Sequence, residues 1–482
     1  MAARRFGTVR EGGAAMAQVL GGLSDDLIKS LEQGFRGNLI RPGDEGYDDA
    51  RKVWNGAIDK HPGMIARCTS TEDVVAAVNL ARDNGLTFAV RGGSHSFPGN
   101  STCDDGLVID LSGMKKIDVD PATRTVIAEG GVTWGELDAA TQAHGLAVTG
   151  GHVTHTGIGG LTTGSGIGHL MRKLGLTSDN LLEAEVVLAD GRVVRAAADE
   201  NEDLFWGIRG GGGNFGVVTG FEYQLHELAG PLLAGLVFYD AKQGREFLRF
   251  YRDWADTLPD DITTIVGYMC APPFPFVPPE VVGQPGFAVV MVCQGPHDVA
   301  EKAIKAARDF GPPLFEMIAP MPYVAVQQLF DPALPPGTKA YLKSNDRTGY
   351  SDACIETILD NCARMKPGHC QILLFQLGGA VARLPEDATA FAQRSAKYMD
   401  AYIAIWEDEA EKDEAIAWSR RFWEEMKPHA RGTFNPNFDG DNEPAAVVAQ
   451  AYGPTKYARL QAIKAKYDPG NLFRLNQNIT PR

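Results

Sequence analysis

A short apolar run followed by two glycines and a single histidine constrains this chain more than any other segment. Residues 86–90 have the length of a buried strand and lead directly into Arg91-Gly92-Gly93-Ser94-His95-Ser96. Adjacent glycines permit positive φ angles and let the backbone come close to a ligand. Successive N–H groups in such a turn form a concavity suited to pyrophosphate, and Arg91 would add positive charge beside it. The segment therefore predicts a turn at a binding site.

A second glycine-rich segment, residues 157–168, supports the same interpretation. It contains six glycines in twelve residues, with Ile158, Leu161 and Ile167 between them. Flexible linkers rarely carry such apolar side chains, so the pattern is typical of a loop that packs tightly while its backbone approaches a ligand. A lone loop histidine such as His95 is more often structural, but the two segments together favour a functional role.

Two other patterns suggest sites that the context argues against. Residues 211–216 satisfy GxGxxG, but a Rossmann site needs a strand before that pattern and a helix after it. Here residues 203–208 resemble a helix and residues 217–223 a strand, so the order is reversed. His152 and His155, with His169 as a third ligand, could suggest a metal site. No Cys or carboxylate nearby supports them, so we expect these histidines to line a pocket and no metal to bind.

Composition limits the class of protein. At 482 residues the chain is too long for one ordinary core, which predicts two domains. The net charge of −15 argues against nucleic-acid binding, and no apolar run approaches the ~20 residues that span a bilayer. The seven cysteines are odd in number and form no CxxC pair, which favours reduced thiols and a cytoplasmic location. Residues 1–23 are predicted to be a disordered leader.

The pattern of elements predicts an α+β fold whose composition changes near residue 230. A helix is expected between Ser70 and Gly85, and Asp190-Gly191 predicts a β-hairpin. Strands are predicted at residues 86–90, 107–111, 125–129, 233–238, 287–292 and 372–377. Further helices are predicted at residues 387–402, 407–426 and 454–467. The pattern therefore predicts that residues 231–430 form a second domain with an antiparallel sheet and helices.

These motifs resemble those of the flavin oxidase family of berberine bridge enzyme and 6-hydroxy-D-nicotine oxidase, in the vanillyl-alcohol-oxidase superfamily. Residues 91–96 resemble that family's RGGGHS motif, whose histidine is joined covalently to the flavin, with Ser94 in place of the usual glycine. The resemblance covers roughly residues 59–482. It continues through residues 153–168, 203–206, 211–219 and 467–479.

The resemblance implies a two-domain flavin oxidase fold. Residues 24–230 and the berberine-bridge-like residues 431–482 would form a PCMH-type FAD-binding domain, and residues 231–430 the substrate domain. It also implies an oxidase that removes a hydride from a C–H next to O or N in a small alcohol, sugar or amine. Flavin N5 would receive the hydride, and oxygen would regenerate the flavin and yield hydrogen peroxide. A dehydrogenase with another acceptor, or a catalytically silent binding protein, remains the alternative, and the chain is expected to be a monomer or a homodimer.

The resemblance assigns FAD to a definite set of residues. His95 would carry a single covalent link, because the position of the cysteine that makes the second link in some relatives is Val153 here. Thr156 stands where oxidases usually have Val, and its similar size favours access of oxygen. The expected cofactor residues are Arg91, Gly92, Gly93, Ser94, His95, Ser96, Val153, Thr154, Thr156, Gly157, Gly159, Gly160, Thr163, Gly164, Gly166, Gly168, Gly216, Val217, Val218, Asn476 and Asn478.

The catalytic base is the point at which this sequence departs from the family pattern. Many members have a Tyr in a YxNF segment that accepts the substrate proton, but the matching position here is Asn435. An amide cannot accept that proton at neutral pH. By family position, Lys343 is a candidate base, and Gln376 could orient a substrate.

Overall fold

The structure is a computed structural model that describes residues 25–228, 230–366, 370–431 and 435–482. The predicted leader, residues 1–23, lies outside the described residues. The strands are β1 Asn38–Ile40, β2 Met64–Arg67, β3 Phe88–Arg91, β4 Leu107–Asp110, β5 Ile117–Asp120, β6 Thr125–Glu129, β7 Leu146–Ala147, β8 Leu181–Val187, β9 Val193–Ala197, β10 Val217–Gln224, β11 His226–Glu227, β12 Leu232–Asp240, β13 Ile262–Cys270, β14 Pro285–Cys293, β15 Phe315–Met321, β16 Lys339–Arg347, β17 Gln371–Gln376 and β18 Tyr398–Trp406. The helices are α1 Asp25–Glu32, α2 Tyr47–Ala50, α3 Thr71–Asp83, α4 Trp134–Gln142, α5 Ile158–Thr163, α6 Met171–Leu174, α7 Glu202–Ile208, α8 Gly244–Ala255, α9 His297–Phe310, α10 Tyr323–Gln327, α11 Asp352–Arg364, α12 Ala380–Arg383, α13 Lys412–Met426, α14 Ala445–Tyr452 and α15 Pro454–Tyr467.

Two sheets organise the first half of the chain. The first has the order β1-β2-β4-β3, with β4 parallel to both β2 and β3, and the second has the order β5-β6-β10-β8-β9. Ser70 is the N-cap of helix α3, and its hydroxyl accepts a hydrogen bond from the Asp73 N–H at 3.3 Å. Its apolar face, including Val74 and Val78, packs on Leu107 of β4. This packing fixes the carboxyl end of β3, where the turn of residues 92–96 begins.

A fully antiparallel seven-stranded sheet, in the order β15-β12-β14-β13-β17-β18-β16, organises the second half. Side chains alternate between its two faces. Leu374 and Tyr402 lie in the core formed with helices α8, α9, α11 and α13. Phe375 and Ile403 lie in a different apolar cluster on the other face. That second face contributes to the cavity described below.

The end of the chain returns to the first half of the molecule. Helices α14 and α15 pack with α7 in one core, in which Leu460 and Ile463 lie close to Leu204 and Trp206. The tail then crosses the glycine-rich turn before β10, where the Asn214 carboxamide accepts a hydrogen bond from the Ile479 N–H at 2.9 Å. The C-terminal residues are thereby placed beside residues 211–216.

Most predicted elements are confirmed within a few residues, including the Asp190-Gly191 hairpin, the helix of residues 454–467 and the antiparallel second sheet. The helix predicted at residues 387–402 is wrong, because Tyr398–Trp406 is a strand between β17 and β16. Its aromatic and β-branched residues fit a buried strand better than a helix. Residues 157–168 are also not simply a loop, since helix α5 lies within them. None of the described helices is long and apolar enough to cross a membrane.

Candidate active site

A cavity of about 380 Å³ lies where the two halves of the molecule meet. The turn after β3, the segment around helix α5, the turn before β10 and the C-terminal tail form one part of its wall. The seven-stranded sheet and residues 436–439 form the other part. All segments that the sequence marked as a binding site therefore converge on one space.

Two glycines bring the turn after β3 against the segment that leads into helix α5. A Cβ atom on Gly93 would overlap the backbone N of Gly157, and a Cβ on Gly157 would overlap the backbone N of Gly93. Only glycine permits this approach. Ser94, which lies between Gly93 and His95 in the chain, has a φ of 62°. This value is in the left-handed region that glycine adopts more readily. The contact explains why both segments need glycine.

Other glycines leave room for a ligand. A Cβ atom on Gly160 or Gly213 would meet no atom within 4 Å, and both residues line the cavity. Polar atoms there also lack partners. Asn476 Oδ1, Asn100 Oδ1 and Ser101 Oγ belong to lining residues, are buried and have no hydrogen-bond partner among the described residues. A cavity with bare backbone and unpaired polar atoms fits a dinucleotide such as FAD.

His95 is held in a fixed orientation in the cavity wall. Its Nε2 lies 2.6 Å from His155 Nδ1, and its ring stacks on Trp54 with ring centroids 4.8 Å apart. Its other nitrogen, Nδ1, makes no hydrogen bond within the described ranges of the chain. Burial, with a smaller effect of His155, lowers the pKa of His95 to about 3, so the imidazole is neutral at physiological pH. A neutral, oriented imidazole has the lone pair that a covalent bond requires.

Aromatic and aliphatic side chains form the end of the cavity beside the seven-stranded sheet. His152 lines it and contacts Phe375, with ring centroids 5.1 Å apart. The His169 ring packs against His152, with the two ring centroids 4.7 Å apart, and it stacks on the Phe330 ring. The other apolar residues at this end are Leu334, Leu342, Leu373, Ile403 and Phe438. Burial lowers the pKa of His169 to about 4 and that of His152 well below its ordinary value, so both stay neutral.

A buried cluster of charges adjoins this end. Residues 435–443 run beside β16, the edge strand of the sheet, and the Gly440 N–H donates to the Leu342 carbonyl at 2.8 Å. The Lys343 ammonium lies 2.8 Å from Asp439 and 2.9 Å from Asp441, and it also contacts Glu443. Asp439 lines the cavity, whereas Lys343 does not.

The structure brings most of the expected cofactor residues to the cavity. The lining contains Gly92, Gly93, Ser94, His95, Ser96, Val153, Thr156, Gly157, Gly159, Gly160, Thr163, Gly216, Val217, Val218 and Asn476. It does not contain Thr154, whose N–H and hydroxyl bond to Asp331, or Asn478. The lining also lacks Gly164, Gly166 and Gly168. A Cβ atom at these positions would overlap Asn437, Thr177 and Gly150, respectively, so these glycines serve the packing of the protein itself.

Arg91 does not supply charge to the cavity. Its guanidinium is buried on the other side of β3, where it bonds to the carbonyls of Ala50, Arg51 and Ser101 and lies 3.9 Å from Asp110. The sequence interpretation overlooked that alternate residues of a strand point in opposite directions. Arg91 therefore holds the turn in place from behind.

None of the three expected catalytic residues lines the cavity. Asn435 is buried, with its N–H on Ser344 and its Oδ1 accepting from the Asn437 N–H. The Gln376 amide bonds to Thr264 and to the Ala255 carbonyl on the helix-covered face of the sheet. Lys343 is held by three carboxylates. Sequence reasoning missed Trp54 and Asp439, although Asp439 stands four residues after Asn435.

Comparison with known proteins agrees with this geometry. The family model "FAD binding domain" matches residues 62–197, and the model "Berberine and berberine like" matches residues 436–480. An FAD-linked oxidoreductase of Dictyostelium discoideum is 34% identical, over 94% of this chain and 97% of its own. (R)-6-Hydroxynicotine oxidase of Paenarthrobacter nicotinovorans is 33% identical, over 93% of this chain and 97% of its own.

Solved structures show the same similarity. The crystal structure of 6-hydroxy-D-nicotine oxidase from Arthrobacter nicotinovorans has a TM-score of 0.84 and 30% identity, and the match covers 95% of this chain and 100% of that one. Fold and cavity thus define an FAD-linked oxidoreductase. The chain belongs to the FAD-linked oxidase family that includes 6-hydroxy-D-nicotine oxidase and berberine bridge enzyme.

Proposed function

We propose that this protein binds FAD through one covalent link to His95 and oxidises a C–H bond next to O or N in a small molecule. When bound, the flavin would accept the hydride and pass the electrons to oxygen, which would yield hydrogen peroxide. Residues 24–230 with 431–482 would bind FAD, and residues 231–430 would cover the substrate. The observation that carries this proposal is the placement of a neutral, fixed His95 in the wall of the cavity.

The environment of His95 supports a covalent link. Its Nε2 faces His155 Nδ1 at 2.6 Å. We assign the shared proton to His95 Nε2, which donates it to His155, and in this tautomer the His95 Nδ1 lone pair is available for bond formation. Trp54 prevents the ring from turning away. We infer a single link, because each of the seven cysteines is a free thiol and none of them is among the residues that line the cavity.

The lining favours an aromatic or cyclic amine or alcohol over a sugar. Phe330, Phe375 and Phe438 face the end beside the seven-stranded sheet, with Leu373 and Ile403 between them. Such a surface gains free energy by burying apolar area, at about 25 cal/mol per Å², and offers few partners for a row of hydroxyls. The printed name of a relative, (R)-6-hydroxynicotine oxidase, indicates a cyclic substrate for that protein and is consistent with this choice.

The experiment that tests the proposed function is anaerobic reduction of the flavin by a set of donors. Benzylamine, cyclic amines and benzyl alcohols should bleach the flavin absorbance, whereas mono- and oligosaccharides should not. Regeneration by air with formation of hydrogen peroxide would support an oxidase, and regeneration only by an artificial acceptor would support the dehydrogenase alternative. A flavin that no donor bleaches would contradict the proposal and favour a silent binding protein.

A further inference from the structure

The cavity needs a group that accepts a proton, and one described residue has the required position. An alcohol must lose its O–H proton to become a carbonyl compound as the hydride leaves, and an amine must lose an N–H proton to end as a neutral imine. Among the described residues that line the cavity, the titratable groups are His95, His152 and Asp439. His95 would carry the flavin, and the pKa of His152 is held well below its ordinary value by burial, which makes it a weak base.

We propose that the Asp439 carboxylate is the proton acceptor of the reaction and that Lys343 positions it. This inference rests on the proposed function. In the step, the hydrogen of the substrate C–H bond would leave with the bonding electron pair as a hydride, which the bound flavin would accept. The O–H or N–H bond breaks with its proton passing to Asp439. A C=O or C=N bond forms, and the two electrons lost by the substrate reduce the flavin.

The geometry of Asp439 suits this role because its two oxygens differ. Asp439 is 1% exposed, and its Oδ1 accepts hydrogen bonds from Lys343 at 2.8 Å and from the Asp441 N–H at 2.9 Å. Its Oδ2 is buried and has no hydrogen-bond partner in the ranges that the structure describes. One oxygen therefore fixes the carboxylate, and the other retains its capacity to accept a proton.

Burial keeps this carboxyl basic in spite of the ammonium beside it. Lys343 is shared by Asp439, Asp441 and Glu443, and Asp441 is further bonded to Tyr341 and Arg420. Burial, with a smaller contribution from Glu443, raises the pKa of Asp439 to about 7 against the opposing effects of Lys343 and the Asp441 N–H. A base whose pKa lies near the working pH is the most effective kind.

Lys343 itself is unsuited to accept the proton. Burial lowers its pKa, but Asp439, Glu443 and Asp441 together raise it above the ordinary value for lysine, so the ammonium stays charged. Its neighbour Leu342 lines the cavity, and Lys343 reaches Asp439 from the edge of β16. Lys343 is therefore a positioning residue.

The first test compares the holoenzyme with the variant Asp439→Asn, which keeps the shape of the side chain. The rate constant of flavin reduction at saturating benzyl alcohol should fall by roughly 10²–10⁴-fold, the usual contribution of a general base. The half-saturating benzyl alcohol concentration should change by less than about tenfold. In the parent protein the rate constant should rise with pH to a plateau, with a midpoint near 7, and the variant should lack this rise. An unchanged rate constant and pH profile would overturn the inference.

The second test does not depend on turnover. Infrared difference spectra of the holoenzyme between about pH 6 and pH 8 should contain a protonated-carboxyl C=O band that is lost in Asp439→Asn. Asp138 and Asp346, whose pKa values burial also raises to about 7, serve as internal controls whose bands should persist. No band lost in Asp439→Asn would overturn the inference. If no donor reduces the flavin of the parent protein, the proposed function is wrong. The infrared titration then still shows whether the Asp439 carboxyl takes up a proton between pH 8 and pH 6.

Variants at Lys343 cover the case in which Asp439→Asn does not fold or bind FAD. Lys343→Met removes the cation that stabilises the Asp439 carboxylate, so the midpoint of the pH profile and of the infrared titration should move upward by at least about one pH unit. Lys343→Arg keeps the charge and should restore the midpoint. Unchanged midpoints in Lys343→Met would contradict the assigned pairing, whereas a purely structural role of Lys343 would lower stability without moving them.

Discussion

Removal of the buried His169 imidazole should make the fold less sensitive to acid. His169 is fully buried, both its ring nitrogens lack partners among the described residues, and burial holds its pKa at about 4. In the unfolded chain an imidazole has a pKa of about 6.5. The folded state therefore stays neutral while the unfolded state takes up a proton, so this contribution to stability is present above about pH 6.5 and is lost as pH falls towards 4.

The magnitude follows from these two pKa values. Between pH 7 and pH 5 the free energy of unfolding should fall by about 2 kcal/mol on account of His169 alone. His169→Phe removes the titrating group and retains a ring that can stack on Phe330. The loss in free energy of unfolding between pH 7 and pH 5 should therefore be about 2 kcal/mol smaller in the variant than in the parent protein.

Urea unfolding followed by tryptophan fluorescence at pH 7 and pH 5 measures this difference. A constant packing cost of His169→Phe cancels, because only the change with pH is compared. His144→Gln, at an exposed position, is the matched control and should leave the pH dependence as it is in the parent protein. Equal losses of stability in His169→Phe and the parent protein would refute the assignment of a buried neutral imidazole.

Three further substitutions test the geometry around the expected flavin. Gly157→Ala should prevent FAD loading or folding, because its Cβ would overlap the Gly93 backbone, and normal flavin content would refute that contact. Ser94→Gly should raise the free energy of unfolding by about 1 kcal/mol by relieving a side chain held at φ 62°, and lower stability would contradict the assigned backbone. Thr156 lines the cavity and is close to Val in size, so stopped-flow reoxidation of the reduced protein by air should finish within about a second. Thr156→Leu should slow it at least about tenfold, and equal rates would remove any role of this position in oxygen access.

The sequence predicted the fold and the location of the cavity because both depend on local patterns. Glycines in residues 91–96 and 157–168 identify close backbone contacts without any knowledge of their partners. The direction of side chains on buried strands was not predictable in the same way. Arg91 and Gln376 each stand next to a lining residue, Gly92 and Phe375, but point away from the cavity. Since both faces of these strands are buried, hydrophobic alternation gives no indication of which face meets the cavity.

Long-range contacts account for the other errors. The strand Tyr398–Trp406 forms because it completes a sheet between β17 and β16, and a window of sequence does not contain those partners. The environment of Asp439 depends in the same way on Lys343, which is distant in the chain. The segment around Asn435 showed that the usual tyrosine was absent, but only the packing of residues 435–443 along β16 brings Asp439 to the cavity.

The proposed link between His95 and the flavin is tested most directly by acid precipitation followed by peptide mapping. We expect a precipitate that stays yellow and one FAD mass on the peptide that contains His95. His95→Ala should give folded protein with dissociable FAD. A colourless precipitate with free FAD in the supernatant, or FAD mass on another peptide, would contradict the account.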